Sequence, residues 1–204
     1  MLSVLTPAKI NLFLNVRRPR RDGFHEIVSV MQAVQLWDRL DVSPTLSGKP
    51  DIAFTCNIPQ MEVEAASNLV VRAYELFWQV TGLPQLGLNV HLEKNIPTQA
   101  GLGGGSSDAA AMLLVLNHLS MARLSTSQLR SIGATLGSDV PFFITGGTAL
   151  VKGRGEFVQP LSQEANVGRN LFPVVIIKPK RLNISNLGAW KRVRLWAEVL
   201  GDNS

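Results

Sequence analysis

The stretch that decides the reading is "IPTQAGLGGGSSDAAAML", residues 96–113. Glycines stand at positions 101 and 103–105, and Ser106, Ser107, Asp108 and three alanines follow. Glycine loses more backbone freedom on folding than any other residue, so such a run before strong helix formers needs a reason. Having no Cβ, glycine also lets a ligand come close to the main chain. The helix expected to start near Ser106 presents unpaired N–H groups and the positive end of its dipole. A glycine loop running into a helix start is a cradle for phosphate. Ser106 and Ser107 add hydroxyls, and Ser107 is the candidate contact for Mg²⁺. The small side chains of Ala109, Ala110 and Ala111 allow close packing that would hold the helix end still.

Several phosphate loops are excluded by their own rules. No lysine lies in the loop and no Gly-Lys-Ser/Thr occurs, so this is not a Walker sequence. The dinucleotide fingerprint fails because position 106 is serine and no acidic residue follows at the expected distance. The His-Arg-Asp and Asp-Phe-Gly signatures of protein kinases are absent.

Working outward, "VLTPAKINLFLNV" (4–16) and "IVSVMQAVQLWDRLDVSP" (27–44) read as strands around a charged turn, "RRPRRDGFHE". Helices are expected at 67–82, with Ser67 as cap and Gly82 as stop, at 106–121, and at 125–137 with Ser125 or Thr126 as cap. A strand is expected at 86–97, strands and turns at 138–161, and a strong last strand in "LFPVVIIKPK" (171–180). Strands alternate with helices without a regular βαβ count, so the fold class is α+β.

Composition sets the limits. The 204 residues carry 46% hydrophobic and 17% charged types with a net charge of +5. That describes an ordinary globular chain whose basic balance admits anionic partners without choosing among them. The lone cysteine, Cys56, excludes an intrachain disulfide and fits a reducing compartment. Lys9 and Asn11 interrupt the apolar start, unlike a secretory signal, and no apolar run is long enough to span a bilayer. A cytoplasmic location is expected.

"PTQAGLGGGSSDAA" resembles the phosphate-binding motif of the GHMP kinases, small-molecule kinases named for galactose, homoserine, mevalonate and phosphomevalonate. "TPAKINLFLNV", "RDGFHEI" and "LGSDVPFFITGGTAL" resemble, in the same chain order, the branch acting on 4-diphosphocytidyl-2-C-methyl-D-erythritol in isoprenoid-precursor synthesis. The resemblance covers most of residues 3–160. It implies the family's N-terminal ribosomal-protein-like two-layer α/β sandwich over residues 1–162, and an incomplete second domain over 163–204. It also implies transfer of a phosphoryl group from ATP, with Mg²⁺, to the substrate's 2-hydroxyl.

Residue by residue, Asp139 matches the family's catalytic aspartate and Lys9 its lysine partner. A lysine inside an apolar strand needs a partner or a solvated cleft. Asn11, two residues on and on the same strand face, matches a position near the substrate. Phe24 and His25 match an aromatic–histidine pair used on the cytosine ring, where Phe24 replaces the usual tyrosine and loses a hydroxyl contact. Asn68 and Lys94 match positions near the ATP base and the loop entry. The remaining ATP-binding candidates are Pro97, Ala100, Gly101, Leu102, Gly103, Gly104, Gly105, Ser106 and Ser107.

Two departures stand out. Gln128 is placed where relatives tend to carry a glutamate that helps with Mg²⁺. And "RLNISNLGAWKRVRLWAEVLGDNS" follows residue 180 where the family continues into a second domain, so weakened activity is expected. Trp190, Val193, Leu195, Trp196 and Leu200 are expected to cover the apolar face that domain would bury, or to pair two chains into a homodimer. The expected partners are ATP and a small-molecule substrate, with no nucleic acid and no membrane. Two other readings stay open: another GHMP kinase of homoserine or mevalonate type, and a non-catalytic nucleotide- or partner-binding remnant.

Overall fold

The computed structural model describes residues 1–45, 50–161 and 173–177. Its spine is a long antiparallel hairpin of β1 (Leu2–Pro19) and β2 (His25–Pro44). Both are rich in branched and aromatic residues, which suit a pleated surface. Gly23 turns the chain at φ 83°, and the Asp22 carboxylate accepts a hydrogen bond from the Phe24 N–H at 3.2 Å. One edge of β2 pairs with β1 over nearly its whole length. The other edge is shared: residues 27–32 pair with β5 (Thr148–Gly153) and residues 39–44 with β4 (Leu88–Glu93). β3 (Ile52–Cys56) runs parallel to β4, and β6 (Phe157–Pro160) antiparallel to β5.

β4 and β5 therefore lie end to end along β2 and leave its residues 33–38 between them. The register against β1 also slips there: Pro7 faces Trp37 but Ala8 faces Val34, so Gln35 and Leu36 have no opposite number. This break in the sheet is where the glycine loop enters.

The helices form the second layer. They are α1 (Pro59–Val63), α2 (Leu69–Thr81), α3 (Gly104–Leu119), α4 (Thr126–Leu136) and α5 (Val140–Thr145). Met31, Leu40 and Val42 of β2 and Leu88, Val90 and Leu92 of β4 pack with Tyr74 and Phe77 of α2 and Met112, Leu113 and Leu116 of α3 in one core. This is the α+β two-layer architecture expected from the sequence.

Local differences have local causes. Asn68, not Ser67, caps α2, accepting from the Val70 N–H at 2.9 Å, because a short 3₁₀ turn at Ala65–Ser67 delays the helix. α3 starts at Gly104, two residues earlier than expected, since Gly103 at φ 73° can serve as its N-cap. "VPFFIT" is a helix, α5, where a strand was expected; with five of six residues buried, its pattern carries no periodicity to separate the two. Pro173–Ile177, inside the expected last strand, is not in a strand, and Val175 and Ile177 are exposed. Trp190 and its apolar neighbours lie outside the described residues, as does most of 163–204. Leu12, Phe13 and Leu14 of β1 are exposed apolar residues of the kind a covering segment would use. No described helix is long and apolar enough to cross a membrane.

α4 and α5 meet at Gly133, where a Cβ would lie 2.7 Å from Val140 Cγ1 and 3.0 Å from Ile144 Cδ1. Gly133→Ala should therefore destabilise the chain. Overpacking at a stiff branched neighbour costs about 1–3 kcal/mol, against about 1 kcal/mol gained from helix propensity. Urea denaturation checks this, and a gain in stability would show the contact to be looser than described.

Candidate active site

The glycine loop is gripped from three sides. The Lys9 N–H donates to the Leu102 carbonyl at 2.9 Å, tying the loop to β1. Leu102 and Ile96 are buried with Ala8 in a small apolar cluster, and Ala100 packs against it. Gly101 and Gly103 both take φ 73°, a left-handed backbone that suits glycine. At Gly103 a Cβ would sit 2.8 Å from the Phe143 ring and 3.1 Å from Lys9 Cγ. The N–H groups of Gly104, Gly105 and Ser106 form the first turn of α3 and have no earlier carbonyl within the helix. Ser107 is buried, and its hydroxyl lacks a hydrogen-bond partner among the described residues. Pro97 lies exposed at the loop's entry.

Beside this turn the structure brings together the two residues singled out for chemistry. Lys9 Nζ lies 3.6 Å from Asp139 Oδ2, with Lys9 nearly buried and Asp139 about one-third exposed. Asp139 stands at the N-cap of α5 but makes no capping hydrogen bond, so helix capping does not account for its carboxylate. Lys9 Nζ also lies 3.4 Å from Asn11 Oδ1, on the shared strand face, and the Ser29 hydroxyl donates to the same oxygen at 3.2 Å. Ser106 reaches toward this side too: a Cβ at Gly137, two residues before Asp139, would lie 3.6 Å from its Oγ.

Under the loop lies a buried cluster the sequence reading missed. Lys94 Nζ donates to Asp108 Oδ2 at 2.8 Å and to Asp38 Oδ2. Asp38 is fully buried, and its Oδ1 accepts from the N–H groups of Asn95 at 2.5 Å and Ile96 at 2.7 Å. The Thr6 hydroxyl donates to Asp108 Oδ1 at 2.7 Å. Burial works against the charge on Lys94, but Asp108 and Asp38 together raise its pKa. Burial raises the Asp108 carboxyl to about 6; Asp38 adds to the shift, while Lys94 and Thr6 oppose it. The loop-entry lysine thus has its ammonium committed to carboxylates beneath the loop. Asp38 gives no motif signal, standing beside Arg39 and Asp41 in a strand of mixed polarity.

Other candidates are spread out. Phe24, half exposed at the hairpin turn, carries the Arg154 guanidinium 5.0 Å from its ring centre. His25 Nδ1 lies 3.2 Å from the Arg17 carbonyl oxygen. The Asn68 side-chain oxygen caps α2. Gln128 is the distal member of the α4 capping box, its side-chain oxygen accepting from the N–H of Ser125 at 2.9 Å, so its position is explained by the helix start rather than by a metal. No cluster of three or more His, Cys, Asp or Glu side chains able to hold a metal occurs among the described residues. Two cavities of about 570 and 560 Å³ open elsewhere, beside β5–β6 and beneath α2, and neither includes Lys9, Asp139 or the loop.

The Asp108 shift sets a sign for pH. Its folded pKa, about 6, exceeds the ordinary 3.8, so between those values the folded chain holds more protons than the unfolded one. Its contribution to stability therefore falls as pH rises from about 4 to about 6 and levels off above. Urea midpoints at both ends of this window should show wild type losing ground relative to Asp108→Asn as pH rises. A difference between the two that ignores pH would contradict the assignment.

Comparison with known proteins bears on the fold and the glycine loop's family. Residues 68–147 match the GHMP kinases N terminal domain. The 4-diphosphocytidyl-2-C-methyl-D-erythritol kinase of Synechococcus sp. (strain JA-2-3B'a(2-13)) is 41% identical over 199 residues, 98% of this chain and 61% of that protein. The kinase of the same description from Thermosipho melanesiensis (strain DSM 12029 / CIP 104789 / BI429) is 44% identical over 154 residues, 76% of this chain and 53% of its own. A crystal structure of 4-(cytidine 5'-diphospho)-2C-methyl-D-erythritol kinase superposes with a TM-score of 0.64 at 42% identity, covering 79% of this chain and 55% of that one. The Methanococcus jannaschii mevalonate kinase shares the fold at 14% identity and a TM-score of 0.59. The chain thus spans about six-tenths of the length of the Synechococcus relative, and the likeness runs on through the tail that the sequence reading had set apart as unlike the family. Its glycine loop, its two-layer fold and these matches identify residues 68–147 as an N-terminal domain of the GHMP kinase type.

Proposed function

We propose that this chain carries the nucleotide half of a kinase that phosphorylates the 2-hydroxyl of 4-diphosphocytidyl-2-C-methyl-D-erythritol at the expense of ATP. The observation that carries the reading is the approach of Lys9 to Asp139, 3.6 Å apart beside the first turn of α3. The N–H groups of Gly104, Gly105 and Ser106 bind the phosphates and orient the terminal one. Asp139 accepts the proton of the substrate hydroxyl as its oxygen bonds to the γ-phosphorus and the bond to the bridging oxygen of ADP breaks. Lys9 sets its positive charge beside Asp139 and offsets negative charge growing on the transferring group. Asn11 lies close enough to Lys9 to fix its ammonium and to meet the substrate. The buried, unpartnered Ser107 hydroxyl is an oxygen donor suited to Mg²⁺, with Ser106 beside it; the ion would neutralise phosphate charge, held largely by the phosphates themselves.

Phe24 and His25 favour the cytidyl substrate over homoserine or mevalonate. A half-exposed ring with a guanidinium at one face leaves a surface for a base to stack on. A non-catalytic remnant would have no use for the Lys9–Asp139 pair. The reading makes residues 1–162 the ATP-binding domain. It carries a cytoplasmic setting, consistent with the free buried thiol of Cys56, and no nucleic-acid or membrane partner.

The test is incubation of the purified chain with ATP, Mg²⁺ and the cytidyl substrate, following ADP release. Asp139→Asn should keep nucleotide binding and lower kcat by about 10²–10⁴-fold, the usual worth of a positioned base; an unchanged kcat would remove Asp139 from the mechanism. For the loop, Gly104→Val is a poor probe, because a Cβ there meets Lys94 Nζ at 3.0 Å and Ile96 Cγ2 at 3.1 Å. Gly105→Val is cleaner: its Cβ has only Leu69 Cδ1 near, at 3.6 Å. It should leave the thermal midpoint little changed and weaken calorimetric binding of ATP severely. Equal affinity would show that phosphates do not approach the helix there.

A further inference from the structure

We infer that Asp38 is a positioning residue for the phosphate loop, holding through Lys94 the first turn of α3 at a fixed distance from the strand that leads into the loop. This rests on the reading that the loop binds nucleotide phosphates. Asp38 sits on β2 in the interval that neither β4 nor β5 covers, with none of its surface exposed. One carboxylate oxygen takes the N–H groups of Asn95 and Ile96, the first residues past Lys94 on the way into the loop. The other takes the Lys94 ammonium, which also binds Asp108 in the second turn of α3. Both ends of the intervening segment are thereby tied to one side chain.

The helix start rests directly on this pair. An ideal Cβ at Gly104 would lie 3.0 Å from Lys94 Nζ and 3.2 Å from Asp38 Oδ2, so the backbone of the phosphate turn sits where no side chain fits without displacing the pair. Thr6, donating to Asp108, extends the tie to β1, the strand that carries Lys9. The arrangement sets the nucleotide turn and the Lys9 strand in one frame.

Stability alone is a weak reason for such a cluster. Buried ion pairs are costly to desolvate, and apolar residues of similar volume often replace them without loss. What an apolar plug cannot supply is a pair of directional ties to backbone N–H groups and to an ammonium. Misplacement of a binding group by about 1 Å can cost about 10²-fold in function. A geometric role therefore explains the cluster where a stability role does not.

The test compares full-length wild type, Asp38→Asn and, as a destabilised control, Phe77→Leu in the distant core of α2, under conditions where circular dichroism shows all three folded. ADP with Mg²⁺ is the calorimetric probe, and hydrogen exchange follows the amides of residues 95–106. Asp38→Asn should weaken ADP binding by about tenfold or more and speed exchange at Asn95, Ile96 and the first turn of α3. Phe77→Leu should lower the thermal midpoint and leave ADP affinity within about twofold. A folded Asp38→Asn that binds ADP like wild type overturns this inference alone. A wild-type chain that does not bind ADP overturns the phosphate-loop reading and this inference with it. Should Asp38→Asn not fold, Lys94→Arg, which keeps the charge and changes the shape of the tie, carries the same expectation, and unchanged ADP affinity there overturns the inference.

Discussion

A single buried ammonium, shared by two carboxylates from different layers of the molecule, is the constraint on which the site depends. Lys94 stands just past the end of β4, Asp38 in the middle of β2, and Asp108 in α3. None of the three could be buried singly, since an uncompensated charge in the interior costs several kcal/mol. Each therefore dictates the position of the others, and with them the distance between sheet and helix at the point where the chain crosses between them. Burial, with the neighbouring Asp38 adding to it, raises the Asp108 carboxyl to about 6 against the pull of Lys94.

The glycines of the loop, seen against their neighbours, answer to different constraints. Gly103 faces Phe143 and the stem of Lys9, so it must be small and left-handed. Gly104 faces the ion cluster below. Gly105 meets little protein, and its smallness serves whatever approaches from outside. One run of identical residues thus joins a packing requirement on two sides to a recognition surface on the third. The Lys9–Asp139 pair follows from the same contacts, because α5 supplies both Phe143, against Gly103, and, one residue before its start, Asp139.

Much of this was legible in the sequence. The glycine run before small helix formers announced the loop, and the alternation of apolar residues announced β1 and β2. The partnership of Lys9 with Asp139 could be expected from family likeness but not from spacing, since 130 positions separate them in the chain. Asp38 was invisible because one aspartate in an amphipathic strand looks like a solvated face until the fold buries it. α5 was misread because a short run buried on all sides has no exposed face to set a period. Ser67 and Asn68 are both good cap residues, and the 3₁₀ turn that decides for Asn68 has no sequence signal of its own. The strand expected around Pro173–Ile177 had the right residue types, but strand propensity expresses itself only against a partner.

The register slip in β1 between Asn11 and Phe13 has a consequence for how the protein behaves in company. The extra residue, Leu12, breaks the in–out alternation, and Leu12, Phe13 and Leu14 all come to the surface in succession, 61%, 51% and 44% exposed. Among the described residues β1 pairs with a strand on one side only, and its outer rim is engaged by the glycine loop at Lys9. Beyond that point the rim offers a run of backbone groups flanked by oily side chains, the kind of template on which another chain can add itself as a strand. A bulge bends and twists its strand, which is one of the ways natural sheets discourage such addition. In this molecule the kink that blunts the rim is the same one that turns the apolar side chains outward, so one extra residue both invites and discourages such addition.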